Sequence, residues 1–282
     1  MMEAKVIQHS ISPAGIALVT FQLRYPRFIH AELMTHRVLN RNASSSRAIP
    51  VAKMIEQVEN HPAMPIHWGA NQPGMQARAE LQGKDREMAI HLWHVAAKRA
   101  AEVAKAMNAL GLHKQVANRI LEPFQWMNTI VTATEWDNHW ELRCHKDAEP
   151  NYQALAGAMK HALDNSTPVL REVDRTNAYN WHLPYISDEE RRRWRDDPFL
   201  LARVSAARCA RVSFNNHDGT APELVKDLDL FEKLAGGRPM HASPLEHQAF
   251  PKGSRDSWSG NLRGWSQFRK WVEAEMKLQK AA

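Results

Sequence analysis

An apolar, β-branched run, Gly15-Ile-Ala-Leu-Val-Thr-Phe21, predicts a strand, because branched and aromatic side chains pack well on a pleated surface. Pro26 then opens a helical stretch with Phe28, Ile29, Leu33 and Met34 roughly on one face. Asn40 to Ser46 is small or polar apart from Arg41, which predicts a loop. Asp85 to Leu110 reads as an amphipathic helix rich in Ala, Lys and Glu, stopped by Gly111. Residues 118–142 mix β-branched residues with Trp126, Trp136 and Trp140 and are read as helix; Tyr152 to Leu163 is a further helix, halted near Pro168. Ser187-Asp-Glu-Glu190 has the form of a capping box and starts a short charged helix through Arg195, expected to be a solvated surface element. Val204 to Phe214 suits helix or strand, and Glu223 to Leu234 is a helix closed by Gly236-Gly237. No repeat or low-complexity segment interrupts this pattern.

Composition narrows the class. At 282 residues, 44% hydrophobic and 24% charged, the chain can bury a substantial core in one large domain or two small ones. The first thirty residues lack a signal-peptide pattern, and no segment approaches the roughly 18 apolar residues of a membrane helix. Cytoplasmic residence without a membrane partner is the expectation. Cys144 and Cys209 are isolated, so neither a disulfide framework nor structural zinc is expected. The net charge of +6 suits an anionic partner, nucleotide or polymer. Ten Trp and fifteen His would suit a ring-stacking site, although most Trp are expected in the core and most His at the surface.

The common cofactor motifs are missing: no Gly-x-Gly-x-x-Gly after a strand, no P-loop, no His-Glu-x-x-His. Three segments carry candidate chemistry instead. Thr35-His36-Arg37-Val-Leu-Asn40-Arg41-Asn42-Ala43-Ser44-Ser45-Ser46-Arg47 gathers guanidinium forks and hydroxyls, natural ligands of a phosphate, and equally suits a solvated turn. Asn118-Arg119 with Pro123 is followed by Glu135-Trp-Asp-Asn138-His-Trp-Glu-Leu-Arg143, where Asn138 and Arg143 can address different parts of a ligand. His241-Ala-Ser243-Pro-Leu-Glu246-His247 has two His flanking a Ser and a Glu, but its His spacing matches no helical zinc site, and no metal is expected.

Taken together these segments resemble the flavin-dependent thymidylate synthases. Thr35-His36-Arg37, seven residues, then Ser45 and Arg47 resemble that family's Arg-His-Arg-x7-Ser signature. Arg119, Pro123, Asn138 and Arg143 are similar to its Ala-Arg-x-x-Leu-Pro and Asn-x4-Arg segments, and His241 to His247 to its His-x-Ser-x-x-Glu-His segment. Arg208-Cys-Ala-Arg-Val-Ser-Phe214 resembles the strand that leads into the last of these. In the family this last segment precedes the Arg-His-Arg motif, whereas here it follows by about 200 residues. The order is that of a circular permutation, which close surface termini allow.

The resemblance implies an α+β fold, a mixed sheet packed with long helices in one permuted domain over residues 1–282. Its core would be 15–165 and 200–250, with 166–199 as the connection, and the strand at 15–21 would share a sheet with strand residues from 205–255. It further implies FAD, methylenetetrahydrofolate and NADPH as cofactor and co-substrates, a deoxyuridine monophosphate substrate, a homotetramer, and no nucleic-acid polymer as partner. Arg143 would be the catalytic group, a cation against the pyrimidine that favours its ionised N3 form and makes carbon 5 electron-rich. Glu32, Ser44, Ser45, Ser46, Arg47, Arg119 and Arg143 would hold the nucleotide, with Ser45, Arg47 and Arg119 on its phosphate. His36, Arg37, Asn42, Asn138, Ser243 and Glu246 would line the FAD, with His241 near flavin and folate. Departures from the family pattern are Thr35 for an Arg, Glu32 for a Gln, Ala43 for an acid, Glu122 for a Leu and Ala148-Glu149 for Ala-Gln. They leave open a deoxycytidylate substrate or a hydroxymethyl product. Two other readings are a thiolate-dependent pyrimidine methylase using Cys144, and a nucleic-acid binder that stacks bases on Trp.

Overall fold

The computed structural model describes residues 1–47, 49–216, 219–237 and 239–281. Strands β1 (Glu3–Ile11) and β2 (Ala17–Pro26) form a hairpin that runs from Glu3↔Arg24 to Ile11↔Ala17, with a bulge between Val6 and Gln8. Its turn needs Gly15, whose φ of 75° a side chain would strain. Strands β3 (Asn40–Ala43), β4 (Trp126–Ala133) and β5 (Val169–Leu170) complete a five-stranded sheet in the order β3-β4-β2-β1-β5. The β1–β5 pair is parallel and the others antiparallel, so the sheet is mixed. Four short strands, β6 (Ala249–Pro251), β7 (Trp258–Ser259), β8 (Leu262–Arg263) and β9 (Trp265–Gln267), form two small separate ladders.

The helices are α1 (His30–Met34), α2 (Val51–Asn60), α3 (Gly83–Ala109), α4 (Lys114–Ala117), α5 (Asp137–Arg143), α6 (Pro150–Asp164), α7 (Asp188–Arg193), α8 (Pro198–Arg211), α9 (Leu224–Phe231) and α10 (Phe268–Ala281). Helix α6 covers the main sheet, with Tyr152, Leu155 and Met159 packed among Phe21, Leu23, Tyr25 and Val131. Helix α3 meets α2 through Ala97, Ala100, Ala101 and Ala104, small residues that let Val51, Met54, Ile55 and Val58 approach closely. A third core, around Trp181, Leu201, Phe231, Leu245 and Phe268, joins α8, α9 and α10. The result is the expected α+β class, and no helix among the described residues is long and apolar enough to cross a membrane.

Several expectations need correction. Residues 118–142 are not one helix but a 3-10 turn (Asn118–Phe124), β4 and α5; the branched run Thr129-Ile-Val-Thr132 favours the strand. The predicted loop at 40–46 contains β3, whose small polar residues suit a short edge strand. Residues 204–214 are helix up to Arg211, ending at Val212 in the left-handed region with φ 57°, so Arg208 to Phe214 is no strand. The capping box at Ser187 forms, but α7 is not merely a solvated element: Arg191 is buried, and Glu190 pairs with the buried Arg208 at 2.5 Å. Finally, β2 pairs with β1 and β4, not with strand residues from 205–255; β6 lies in a separate ladder with β9.

What joins the C-terminal half to the main sheet is a buried polar chain. Arg171 Nε donates to Ser10 Oγ at 3.2 Å, and Ser10 Oγ lies 3.0 Å from His182 Nδ1. His182 Nε2 lies 2.7 Å from Thr20 Oγ1, Thr20 2.7 Å from Thr132 Oγ1, and Thr132 2.8 Å from His247 Nδ1. A guanidinium can only donate, so Ser10 Oγ accepts from Arg171; each hydroxyl of the chain has one proton and two lone pairs, and the tautomer of each imidazole sets the direction of its links. His247 Nε2 is buried and meets no hydrogen-bond partner among the described residues. Burial holds both rings neutral, with His247 pushed down to about 3.

Candidate active site

Arg143 ends α5 and reaches back to α1, which the Pro26–Arg27 junction sets at the end of β2. Its Nε donates to His36 Nε2 at 2.8 Å and its Nη1 to Glu32 Oε2 at 2.6 Å. Nη2 donates to the Glu32 carbonyl at 3.3 Å and to Thr35 Oγ1 at 3.0 Å. The guanidinium lies 4.7 Å over the Tyr152 ring. Four of its five N–H groups are therefore engaged, and the one left is on Nη1. Thr35, which replaces a cation of the resembled signature, supplies instead a hydroxyl that accepts from this fork.

The charge at this point is balanced. Glu32 neutralises Arg143, and desolvation raises the Glu32 carboxyl above its usual range, with the nearby Glu149 adding to the rise and Arg143 opposing it. Burial and then the Arg143 charge hold His36 below its ordinary value; its Nε2 accepts from Arg143, so it is neutral with its proton on Nδ1. His139 packs 4.9 Å from the His36 ring and is driven down to about 3, chiefly by burial. Glu32 and Arg143 open into a cleft of about 970 Å³ whose other walls include His67, Arg78, Lys146 and Asp147.

A second junction forms where the C-terminal half meets the loop after α1. Ser243 Oγ donates to Asn42 Oδ1 at 3.0 Å, and Asn261 Nδ2 donates to the Arg37 carbonyl at 3.1 Å. Asn42 Nδ2 in turn donates to the Cys209 carbonyl at 2.9 Å, tying β3 to the end of α8. Glu246 pairs with Arg269, and its carboxyl is raised by burial despite that partner. Arg41 caps α1, its Nη1 donating to the carbonyls of Leu33, Met34 and His36, where a cation suits the helix dipole. The Arg37 and His241 side chains are exposed at this junction.

Of the remaining predicted residues, Ser44 to Arg47 follow β3 as a turn against the Asn118–Phe124 segment. Ser44 N donates to the Asn128 carbonyl at 2.9 Å, Asn118 Nδ2 to the Ser46 carbonyl at 2.7 Å, and Arg47 N to Ser45 Oγ at 3.3 Å. Ser45 and Arg47 are exposed and Ser46 is buried. Arg119 is exposed and paired with Glu122 at 2.7 Å, and Glu122 also binds Arg27 at 2.9 Å. Asn138 is exposed on α5. The structure thus gathers Glu32, His36 and Arg143 in one cluster and joins Asn42 to Ser243, while the Arg37 backbone is held by Asn261 and Glu246 pairs with Arg269. Among the described residues no hydrogen bond or ion pair links Ser45, Arg47 or Arg119 directly to Arg143. Sequence reasoning missed Tyr152, His139 and the cleft wall at 67–78, which no motif signals.

The family model described as thymidylate synthase complementing protein matches residues 4–169. The chain belongs to this family. The span matched to the thymidylate synthase complementing proteins contains Glu32, His36, Arg119 and Arg143, while His241, Ser243 and Glu246 lie beyond it. No curated protein matches the chain. Among solved structures, it is similar to the UMP/dUMP methylase PolB from Streptomyces cacaoi bound with 5-Br dUMP, at 13% identity and a TM-score of 0.48, over 60% of this chain and 92% of that one. The same enzyme bound with 5-Br UMP gives 15% identity and a TM-score of 0.49, over 60% and 90%.

Proposed function

We propose that this chain is an FAD- and folate-dependent enzyme that transfers a one-carbon unit to C5 of a pyrimidine deoxynucleotide, deoxyuridine monophosphate being the substrate the family implies. The observation that carries this reading is the return of Ser243 to Asn42 across 201 residues of sequence. It brings the two flavin-lining segments of the family together despite their inverted order. The donor set there suits an anionic dinucleotide: the exposed Arg37 guanidinium, His241, and the Asn42 and Ser243 groups, with the Glu246 carboxylate neutralised by Arg269. When bound, the flavin supplies the hydride, with NADPH as the source of electrons and methylenetetrahydrofolate as the carbon donor.

The chain's own residues orient and exclude. Arg143 faces the pyrimidine from the cleft floor, held by His36, Thr35 and Glu32 so that it does not reorganise during reaction. Ser45 and Arg47 take the phosphate, with Ser44, Ser46 and Arg119 beside them. A homotetramer is supported by the side of α3 carrying Met88, Leu92, Val95 and Val103, large apolar residues exposed at helical spacing, which other subunits would cover. A thiolate route through Cys144 is disfavoured, since burial raises that thiol above its ordinary value. Titration of the purified protein with FAD tests the reading. Quenched flavin fluorescence and a thermal shift are expected, worth about 2.7 kcal/mol at 100 times the dissociation constant. The absence of both responses would refute the flavin assignment.

A further inference from the structure

The Glu32–Arg143 pair determines which form of the base can bind, an inference that rests on the pyrimidine reading above. A lone guanidinium would present a positive fork and favour an anion. Here the fork is tied to Glu32, Thr35 and His36, and what faces the cleft is different. Glu32 uses Oε2 on Arg143, and among the described residues Oε1 has no recorded partner. Beside it, Arg143 has one unengaged N–H on Nη1. Both residues line the cleft, so the pair has one acceptor and one donor to offer a ligand there, its own two charges cancelling.

That pattern is the complement of a neutral amide or amidine edge, in which one ring position donates and its neighbour accepts. An N3-ionised uracil has only acceptors on that edge, and its charge would meet the Glu32 carboxylate. Removing the N3 proton then costs more in this site, not less. We propose that Glu32 makes this site select the pyrimidine in its neutral form, with a donor N–H of the base on Glu32 and an adjacent acceptor on Arg143.

Other titratable or charged groups face the pair: Glu149 at the start of α6, the neutral His36 on the α1 side, and His67, Arg78, Lys146 and Asp147 in the cleft walls. These groups act alike on two nucleotides that differ only at C5, so the test uses a ratio in which they cancel. Binding of 5-fluoro-dUMP and of dUMP to the full-length protein is measured by calorimetry across the alkaline range, fluorine making N3 the more acidic. If only the neutral base binds, the dissociation constant of the fluorinated nucleotide relative to dUMP rises about tenfold per pH unit between its N3 pKa and that of dUMP. In Glu32→Gln, which removes the carboxylate charge, that rise flattens or reverses. A wild-type ratio that stays level or falls as N3 ionises would overturn the inference while leaving the pyrimidine reading intact. No binding of either nucleotide at any pH would overturn both.

Discussion

Acid should destabilise this protein well before its carboxylates titrate, through its buried histidines. His139 and His247 are almost wholly buried, and each is lowered from 6.5 to about 3. A lowered base stays neutral in the fold while the unfolded chain takes up a proton, so stability is complete above pH 6.5 and is lost as pH falls below it. At pH 5 the unfolded ring is about 1.5 units below its pKa, which at about 1.36 kcal/mol per unit costs about 2 kcal/mol for each ring. His182 acts in the same direction, while the raised carboxyls of Glu32 and Glu246 act weakly against it. Urea unfolding at fixed protein concentration, at pH 7 and pH 5, measures the sum as a change in midpoint. His247→Gln isolates one ring, since an amide can accept from Thr132 but does not titrate. The variant should lose about 2 kcal/mol less than wild type between the two pH values. An equal loss in both proteins would refute the reasoning.

Asp227, wholly buried between Arg208 and Arg211 at 2.8 and 2.5 Å, should cost about 3–5 kcal/mol when changed to Ala, read by denaturant unfolding, because two guanidinium groups lose a buried partner. Nitrogen-15 NMR should find His182 and His247 as neutral rings at pH 7, and Thr132→Val should shift the ring nitrogens of His247, which it touches directly, more than those of His182. Arg143→Ala should abolish turnover with FAD still bound, and Arg143→Lys should rescue poorly, because an ammonium's three donors cannot reproduce the planar fork that makes four bonds to Glu32, Thr35 and His36. Cys144→Ala should keep most of its activity in the same assay; a dead but folded, FAD-binding variant would revive the thiolate route.

Legibility in the sequence followed the range of the interactions. Helix α3 and its stop at Gly111 were readable because local spacing and a glycine at φ 78° determine them. The Ser187 capping box was readable for the same reason, yet the partner that buries Glu190, Arg208, lies 18 residues on and left no local sign. Strand β4 reads as helix in the sequence because Trp126, Trp136 and Trp140 obscure a branched run whose strand form depends on β2 and β3 on either side. Arg143 was identified by motif alone. That it is neutralised by Glu32, 111 residues away, became visible only in space.

The buried chain from Ser10 to His247 also bears on where the molecule can be divided. The family match stops at residue 169, an inviting place to truncate. Thr20 and Thr132 belong to the part that would be kept, His182 and His247 to the part discarded. The cut would also strip Ala249, Leu262 and Trp265 from Ile16 and Leu18, and the Tyr185 hydroxyl from Gln22. Two hydroxyls meant for imidazole would face an opened apolar wall, in strands at the centre of the sheet. A fragment of residues 1–169 should accordingly aggregate on expression, and co-expression with 170–282 should restore it to solution. That outcome would make the evolutionary unit that a family model detects only part of this chain's cooperative folding unit.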